Sequence, residues 1–426
     1  MFRAVERGSA VVAMIAMAAC AGGGGGASAP KGALDAAAEE YVKLVLAVGR
    51  HDANYVDAFY GPPAWKAAND AAERVPLTDL ARRAKELRGQ VRSAEGPAER
   101  KRYLEKQLVA VDAEIRRLSG EVFKVDDECE ALFDARPPHH EIEEFQAVHD
   151  RLEKMVPGAG PLSDRIEAMR KAIRVPKEHV EATVRAALAT ARAAGAPQAK
   201  LPSGESFDFA LVTGKPWGAY NWYLGGYKSR IEFNVDLPTE LNGLLGTMCH
   251  EGYPGHHTYN VLIEEKLVNG LGWVEWSVYP LYSPQSLLAE GTANAAEDLI
   301  FSEDERRRVL ANVLAPVGHV DPAAVLAWED VREAMEPLRY VRPEATRMLL
   351  DDGVPEADVV AFVRKWSLVD EARARKAIDF ARTYRSYVFN YTLGEDIVRA
   401  YIGTGPDRVA KFYGILSRPV VPSELK

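Results

Sequence analysis

Apolar residues recur at helical spacing along almost the whole chain from residue 33 onward, and this periodicity constrains the fold most. The stretch from Ala33 to Val48 follows the pattern and closes near Gly49. Three longer amphipathic stretches, at about 78–93, 97–119 and 139–155, are rich in Ala, Leu, Glu, Lys and Arg, which favour helix. The sequence therefore predicts a mainly α protein built from many helices.

One segment departs from this periodicity. Residues 201–236 hold several glycines and aromatic residues, and Ser229 to Asp236 alternates polar and apolar residues, which predicts a strand. A helix should follow from about Thr239 to His250, so a small β element precedes it. After residue 300 the pattern is helical again, with predicted breaks at Gly318, Pro343, Gly353 and Gly394.

The N-terminus has the features of a targeting segment. Arg3 and Arg7 precede a short apolar stretch, Ala10 to Ala19, and Cys20 follows it at a position typical of a lipobox. The glycine run after Cys20 predicts a flexible tether. We expect export to the periplasmic side of the cell envelope, with a lipid anchor at Cys20 as the only attachment to the membrane.

Net charge, hydropathy and cysteine content narrow the possible partners and cross-links of the chain. The 426 residues include 53 basic and 62 acidic side chains, a net charge of −9, which argues against nucleic acid as a partner. No stretch after residue 30 is apolar and long enough to span a bilayer. Cys129 and Cys249 are expected to be two free, buried thiols.

The most informative chemical motif is the octapeptide at residues 250–257, His-Glu-Gly-Tyr-Pro-Gly-His-His. A zinc-hydrolase helix commonly carries two histidines four residues apart, with a glutamate beside the first. Here the residue four after His250 is Pro254, and the next histidines, His256 and His257, stand six and seven residues after His250. The motif can therefore bind a metal only if the helix is interrupted between its histidines. A polar turn packed in a core is the competing interpretation.

Helix geometry leaves two candidates for the second histidine ligand. On a regular helix His256 lies about 120° from the face of His250, and His257 lies within about 20° of that face but roughly 10.5 Å further along. Pro254 and Gly255 are the residue types found where helices bulge or kink. Looping out two residues would bring His256 to the ligand position, and looping out three would bring His257. We favour His256 and keep both as candidate metal ligands.

Two glutamates complete the predicted zinc site. Glu251 follows His250 directly and is the predicted general base for a metal-bound water. A hydrolytic zinc site has three protein ligands and one open position, so a third ligand is needed. Glu290, in a segment of otherwise small residues, is the predicted third ligand. Glu297, two turns on, is a candidate for orienting a ligand through a hydrogen bond.

Residues 382–394, which are dense in Tyr and Arg, supply candidates for stabilising the oxyanion that forms during hydrolysis. Tyr391 is the predicted hydroxyl donor, with Tyr387 as the alternative. Arg385 is the predicted clamp for a carboxylate or carbonyl group. Tyr253, inside the octapeptide, is a further candidate. Aromatic core packing with a surface arginine is the competing interpretation of the segment.

The motifs resemble those of a bacterial family known only as domain of unknown function 885 (DUF885). Its mark is a His-Glu-x-x-Pro-Gly-His-His segment followed by a Glu-Gly segment, here His250 to His257 and Glu290-Gly291. The likeness extends to Tyr55 to Pro63 and to Tyr391 to Gly394, so it covers nearly the whole mature chain. Thr292 stands where the family commonly has Trp, which implies an altered pocket wall.

This resemblance implies a mainly helical, zincin-like protein with metallopeptidase activity, often exported or lipid-anchored. The Glu290 segment is also similar to the Glu-Gly-x-Ala segment that carries the third zinc ligand of gluzincin aminopeptidases, which implies a gluzincin-type architecture. The division of the chain is then a signal peptide with lipobox and tether (1–30), an N-terminal helical region (31–200), and a catalytic helical region with a small sheet (201–426).

The function predicted from these observations is zinc-dependent hydrolysis by a metallopeptidase acting on small peptides. The ligands would be His250, with His256 or His257, and Glu290. Hydrolysis of another amide or of an ester is the alternative within enzymes. A non-catalytic envelope lipoprotein with a binding or structural role is the alternative from another class.

Overall fold

Helices dominate the structure, a computed structural model that describes residues 32–215 and 217–425. The mainly α prediction is confirmed. The predicted targeting segment, with its lipobox at Cys20, lies outside the described residues. None of the described helices has both the length and the apolar character needed to cross a membrane.

The α-helices follow one another along the whole described chain. They are α1 (Ala33–Val48), α2 (Pro63–Ala71), α3 (Leu77–Ser93), α4 (Ala98–Leu118), α5 (Val125–Phe133), α6 (Ile142–Met155), α7 (Leu162–Ala172), α8 (Lys177–Ala199), α9 (Leu241–Glu251), α10 (His256–Ile263), α11 (Pro284–Ile300), α12 (Glu303–Val309), α13 (Ala315–Gly318), α14 (Pro322–Met335), α15 (Val341–Leu350), α16 (Glu356–Trp366), α17 (Glu371–Tyr384), α18 (Asn390–Ile402) and α19 (Arg408–Ile415). Short 3₁₀ or π turns occupy Glu264–Asn269, Val274–Ser277, Leu310–Leu314, Glu336–Tyr340, Arg385–Phe389 and Pro422–Glu424.

Proline marks the start of many of these helices. A proline directly precedes the first residue of α3, α4, α7, α8 and α16. Its fixed φ suits the entry into a helix, and its missing N–H costs nothing where no intrahelical partner exists. The sequence-predicted bounds of α1, α3 and α4 therefore agree with the structure to within about one residue.

Five strands form two small sheets. They are β1 (Val56–Phe59), β2 (Ser206–Val212), β3 (Ala219–Gly225), β4 (Lys228–Asn234) and β5 (Val278–Pro280). In the larger sheet β4 is central, parallel to β2 and antiparallel to β3. The strand predicted at Ser229 to Asp236 corresponds to β4. The smaller sheet pairs β1 with β5 and so joins the N-terminal part of the chain to the segment before α11.

Gly394 does not break a helix, contrary to the sequence prediction, because it lies inside α18. It serves close packing of α18 against α11. A Cβ atom on Gly394 would lie 2.4 Å from the carbonyl oxygen of Leu287, and one on Gly291 would lie 2.3 Å from the carbonyl oxygen of Gly394. Only glycine at both positions permits this approach, since real Cβ atoms do not come so near.

The central position of α11 determines where the site is built. One apolar core includes residues of α1, α3, α4, α11 and α18, and a second includes residues of α8, α9, α14 and α11. Since α11 borders both, side chains on it are held by packing on two sides. Cys129 and Cys249 are buried and unpaired, as predicted. The domain boundary at residue 200 stays a prediction.

Candidate metal centre

The helix that carries the octapeptide is interrupted within it. Helix α9 ends at Glu251 and α10 begins at His256, so the residues between them form a tight connection. The Gly255 N–H donates to the carbonyl oxygen of Cys249 (2.9 Å). A Cβ atom on Gly255 would lie 1.9 Å from the carbonyl oxygen of His250, so this connection requires glycine. The break sets His250 in the last turn of one helix and His256 at the start of the next.

Three side chains converge at this break. The Nε2 atoms of His250 and His256 are 3.0 Å apart. Glu290 on α11 lies 3.4 Å from His250 Nε2 through Oε2 and 3.5 Å from His256 Nε2 through Oε1. Possible ligand atoms of the three residues all lie within 4.8 Å of one another. We call this set the His-His-Glu group.

The separations in the His-His-Glu group fit a tetrahedral metal ion. Zinc bonds to histidine nitrogen and carboxylate oxygen of about 2.0–2.1 Å place neighbouring ligand atoms of a tetrahedron about 3.3–3.4 Å apart. The three observed separations bracket that length. Oε2 of Glu290 is buried and has no hydrogen-bond partner among the described residues, which is unfavourable unless a cation approaches it. The residues therefore fit a zinc ion with a fourth position open.

Hydrogen bonds orient the members of this group. His250 Nδ1 lies 2.9 Å from Oδ1 of Asn294, whose amide in turn donates to the backbone oxygen of Tyr391 (2.7 Å). The hydroxyl of Tyr387 donates to Oε1 of Glu290 (2.7 Å). Such contacts fix the ring orientation and tautomer of a metal-ligating histidine. Asn294 lies on α11, and Tyr387 lies in the short turn directly before α18.

The electrostatics of the group favour positive charge between its members. Burial opposes protonation of His250, but its contact with the Glu290 carboxylate and the nearby charge of Glu251 outweigh it and raise the pKa of His250 to about 9. Burial would raise the pKa of the Glu290 carboxyl, yet His256 and His250 hold that pKa far below its ordinary value. A metal ion would take the place of the proton that this field attracts.

Glu251 has the surroundings that a general base needs. It is 5% exposed, and burial raises its pKa above the ordinary value, with His250 and His256 opposing. Its carboxylate makes no hydrogen bond or ion pair with any described residue, whereas its backbone oxygen accepts from the amide of Asn221 on β3 (2.7 Å). The backbone is thus held in place while the carboxylate remains available to a water molecule.

The His-His-Glu group opens into a cavity of about 310 Å³ with an aromatic lining. Tyr391 lines it, with its ring roughly parallel to that of His250 (18°) and 6.4 Å away. Its hydroxyl has no hydrogen-bond partner among the described residues, whereas that of Tyr387 is bonded to Glu290. Tyr391 is therefore the tyrosine of the pair whose hydroxyl can reach a ligand in the cavity.

His257, the other candidate for the second ligand, points away from the group. It is fully buried, with Nε2 2.8 Å from Glu205 Oε2 and Nδ1 2.7 Å from Ser229 Oγ. The arrangement resembles a Ser-His-Glu relay, but Ser229 is only 1% exposed and does not line the cavity. Since both ring nitrogens are engaged, His257 anchors the first turn of α10. Tyr253 belongs to the same anchor, because its hydroxyl donates to Glu205 (2.6 Å).

Two other candidates lie outside the cavity. Arg385 donates from Nε to Glu128 Oε2 (2.7 Å), so the predicted clamp is used in a partly buried ion pair. Glu297 accepts from Nε of Arg306 (2.8 Å) and contacts neither histidine. Sequence reasoning identified neither partner, because Glu128 lies on α5 and Arg306 lies on α12.

The cavity also contains residues that sequence reasoning missed. Asp57 and Tyr220 line it, and the Tyr220 hydroxyl donates to the Asp57 carboxylate. The only sequence signal for Asp57 was its place in the segment Tyr55 to Pro63 that resembles DUF885. Tyr220 stood among the aromatic residues before β4 without any feature that separated it from its neighbours.

Comparison with known proteins supports the fold and leaves the family open. No family model and no curated protein matches this chain. A solved structure described as "the putative lipoprotein from Colwellia psychrerythraea" is similar over 84% of this chain and 70% of its own, with a TM-score of 0.50 and 15% sequence identity. At that identity the likeness concerns the fold alone. The resemblance to DUF885 therefore rests on the motif residues.

Proposed function

We propose that the protein is a zinc-dependent hydrolase, a metallopeptidase of the DUF885 type that acts on small peptides. The observation that carries the proposal is the convergence of His250, His256 and Glu290 on one point, with Glu251 beside it. Two histidines, one carboxylate and an open position are the ligand set of hydrolytic zinc sites. The interrupted helix supports His256 rather than His257 as the second ligand.

Zinc in this position would supply Lewis acidity and lower the pKa of a water molecule to about 7. Glu251 would accept the proton of the attacking water, for which its unpaired carboxylate and raised pKa are suited. The same residue, once protonated, would deliver the proton to the leaving amine. Tyr391 would donate a hydrogen bond to the developing oxyanion from its unengaged hydroxyl.

The shape of the cavity supports a short peptide as substrate. Its volume of about 310 Å³ lies at the lower end of ligand sites. Residues 219–222 of β3 line it, and β3 pairs with β4 on one side while no described strand pairs with its other side. An unpaired strand edge beside the reacting groups can hold an extended peptide by main-chain hydrogen bonds. Zincin-like architecture is part of the same proposal.

An envelope location belongs to the proposal as well. The sequence before residue 31 has the features of a lipoprotein signal, and the structural neighbour from Colwellia psychrerythraea is itself named a putative lipoprotein. We propose that the protein is held at the periplasmic side of the envelope through Cys20. The catalytic region would then face peptides that enter the envelope.

Replacing Glu251 with Gln tests the catalytic assignment. The wild-type protein should contain one zinc ion per chain by mass spectrometry and should cleave members of a di- and tripeptide panel. Glu251→Gln should keep the zinc and lose hydrolysis by about 10²- to 10⁴-fold, because the amide cannot take a proton. Glu333→Gln, on an exposed position of α14, is the matched control and should change neither quantity.

Three outcomes would count against the proposal. Wild-type protein without stoichiometric zinc would contradict the metal site. Hydrolysis unaltered in Glu251→Gln would contradict the role of the base. Zinc bound without cleavage of any peptide, amide or ester would favour the non-catalytic envelope lipoprotein.

A further inference from the structure

Asp57 is placed in the cavity by an irregularity of the small sheet. Strand β1 pairs antiparallel with β5, and the register shifts between Val56, opposite Pro280, and Ala58, opposite Tyr279. Such irregularities redirect a side chain and recur beside functional sites. Asp57 stands at this shift and lines the same cavity as the His-His-Glu group. Its carboxylate is therefore held at the site by strand pairing rather than by a loose loop.

Among the described residues, no lysine or arginine forms an ion pair with the Asp57 carboxylate. Its hydrogen-bond partner is the neutral hydroxyl of Tyr220. Glu275, a buried carboxylate elsewhere in this protein, does have a cationic partner in Arg100. A carboxylate offers about four acceptor positions, so Tyr220 leaves most of this capacity unused. The arrangement fits a carboxylate whose cation arrives from outside the protein.

The charges that line the cavity support the same conclusion. Three carboxylates line it, and zinc would balance the charges of Glu251 and Glu290. The charge of Asp57 is then opposed, among the lysines and arginines of the lining, by Lys215 alone. The ammonium group of Lys215 lies 5.8 Å from the centroid of the Trp217 ring, and Lys215 makes no ion pair with Asp57. The Asp57 carboxylate therefore has no described lysine or arginine in direct contact, and the ammonium group of a bound substrate would supply that contact.

The wall beside Asp57 is aromatic in a way that suits an ammonium group. The ring centroids of Tyr220 and Trp222 are 4.4 Å apart, and those of Trp217 and Tyr220 are 5.4 Å apart. The faces of such rings attract cations within about 6 Å. The Lys215 ammonium already occupies one such position over Trp217.

We propose that Asp57, oriented by Tyr220, binds the free α-ammonium group of the substrate, so that the enzyme removes residues from the amino terminus of short peptides. This inference rests on the proposed function and gives it a cleavage mode. The small cavity favours the end of a chain over its middle, and the amino-terminal end carries an ammonium group whatever its side chain. A lysine side chain of the substrate is the other possible source of an ammonium group.

Binding of small amine ligands tests the inference without any need for turnover. L-leucinamide and N-acetyl-L-leucinamide differ in the charge of one group, and calorimetry on the full chain gives their affinities. A charge-assisted hydrogen bond predicts that wild-type protein binds L-leucinamide about 10- to 100-fold more tightly. Asp57→Asn should remove that preference while zinc content and melting temperature stay unchanged. Tyr220→Phe, which keeps the ring, should reduce the preference by a smaller factor.

Equal affinity for the two ligands in wild-type protein, or a preference that survives Asp57→Asn, would overturn the inference. N-acetyl-L-lysinamide separates the two sources of the ammonium group. Binding of this ligand as tightly as L-leucinamide would assign Asp57 to a side chain and overturn the amino-terminal assignment. A preference for L-leucinamide in a protein that hydrolyses nothing would leave the ammonium-binding role of Asp57 standing and sink the proposed function together with the cleavage mode. Hydrolysis of peptides without the preference for L-leucinamide would leave the proposed function standing and overturn the role of Asp57.

Discussion

Glu205→Gln should destabilise the protein, because it removes the charge that anchors His257, in the first turn of α10, and Tyr253, just before that helix. Burial would raise the pKa of Glu205, but the hydrogen bonds from these two residues and the charge of Arg192 lower it to about 2. The fall from the ordinary value of 4.5 to about 2 corresponds to roughly 3 kcal/mol of native-state stabilisation at neutral pH. A glutamine retains part of the hydrogen bonding, so a loss of about 1–3 kcal/mol is expected.

Denaturant unfolding of wild type and variant at pH 7 measures this loss. The sign of its pH dependence follows from the lowered pKa. The stabilisation is complete above pH 4.5 and is lost as pH falls towards 2, so wild type and Glu205→Gln should converge in that interval. Arg192→Gln is the matched control, because it removes the half-exposed ion pair of Glu205 and the contact with the Tyr253 ring but keeps the hydrogen bonds from His257 and Tyr253, and it should cost about 1 kcal/mol or less.

Glu205→Gln should also weaken zinc binding, although Glu205 lies outside the His-His-Glu group. His257 directly follows His256, so loosening the anchor also loosens the ligand. Loss of a residue that orients ligands typically costs about 10- to 100-fold in metal affinity. An unfolding free energy within about 0.5 kcal/mol of wild type, together with unchanged zinc affinity, would refute the reasoning.

Three further predictions concern the metal centre itself. Gly255→Ala places a Cβ atom 1.9 Å from the carbonyl oxygen of His250 and should abolish stoichiometric zinc binding, whereas Gly243→Ala in α9 meets no atom within 4 Å and should leave the zinc content unchanged. Against the effect of burial, Glu290 and Glu251 raise the pKa of His250 to about 9. Zinc affinity should therefore rise with pH up to about 9, and calorimetry in buffers of different ionisation enthalpy should detect a released proton. An affinity that does not change between pH 6 and 9 would contradict this. Tyr391→Phe should lower kcat by about 10²- to 10³-fold with zinc content and KM unchanged, and a parallel loss of zinc would point to a structural role instead.

The sequence predicted the local elements well, because helix formation depends on nearby residues. The bounds of α1 and the strand before α9 followed from periodicity and from glycine and proline. Strands β1 and β5 were not predicted, since each is short and their pairing joins segments more than two hundred residues apart. Gly394 was read as a helix break because sequence alone does not show that a second helix approaches it.

In the candidate site, too, the residues of local motifs were predicted, whereas contacts between distant segments were not. His250, Glu251 and Glu290 were found from motif spacing, but the choice between His256 and His257 depended on the residue at which α10 begins. Arg385 has the right chemistry for a clamp, yet Glu128, which is far from it in sequence, engages its guanidinium. Long-range pairing decides such cases.

X-ray absorption at the zinc edge tests the central claim most directly. The wild-type protein, loaded with one zinc ion per chain, should show two imidazole nitrogens at about 2.0–2.1 Å and a carboxylate oxygen at about 2.0–2.2 Å. The spectrum should lose one imidazole in His256→Ala and keep both in His257→Ala. Failure to bind zinc stoichiometrically, or loss of an imidazole in His257→Ala with none lost in His256→Ala, would contradict the account.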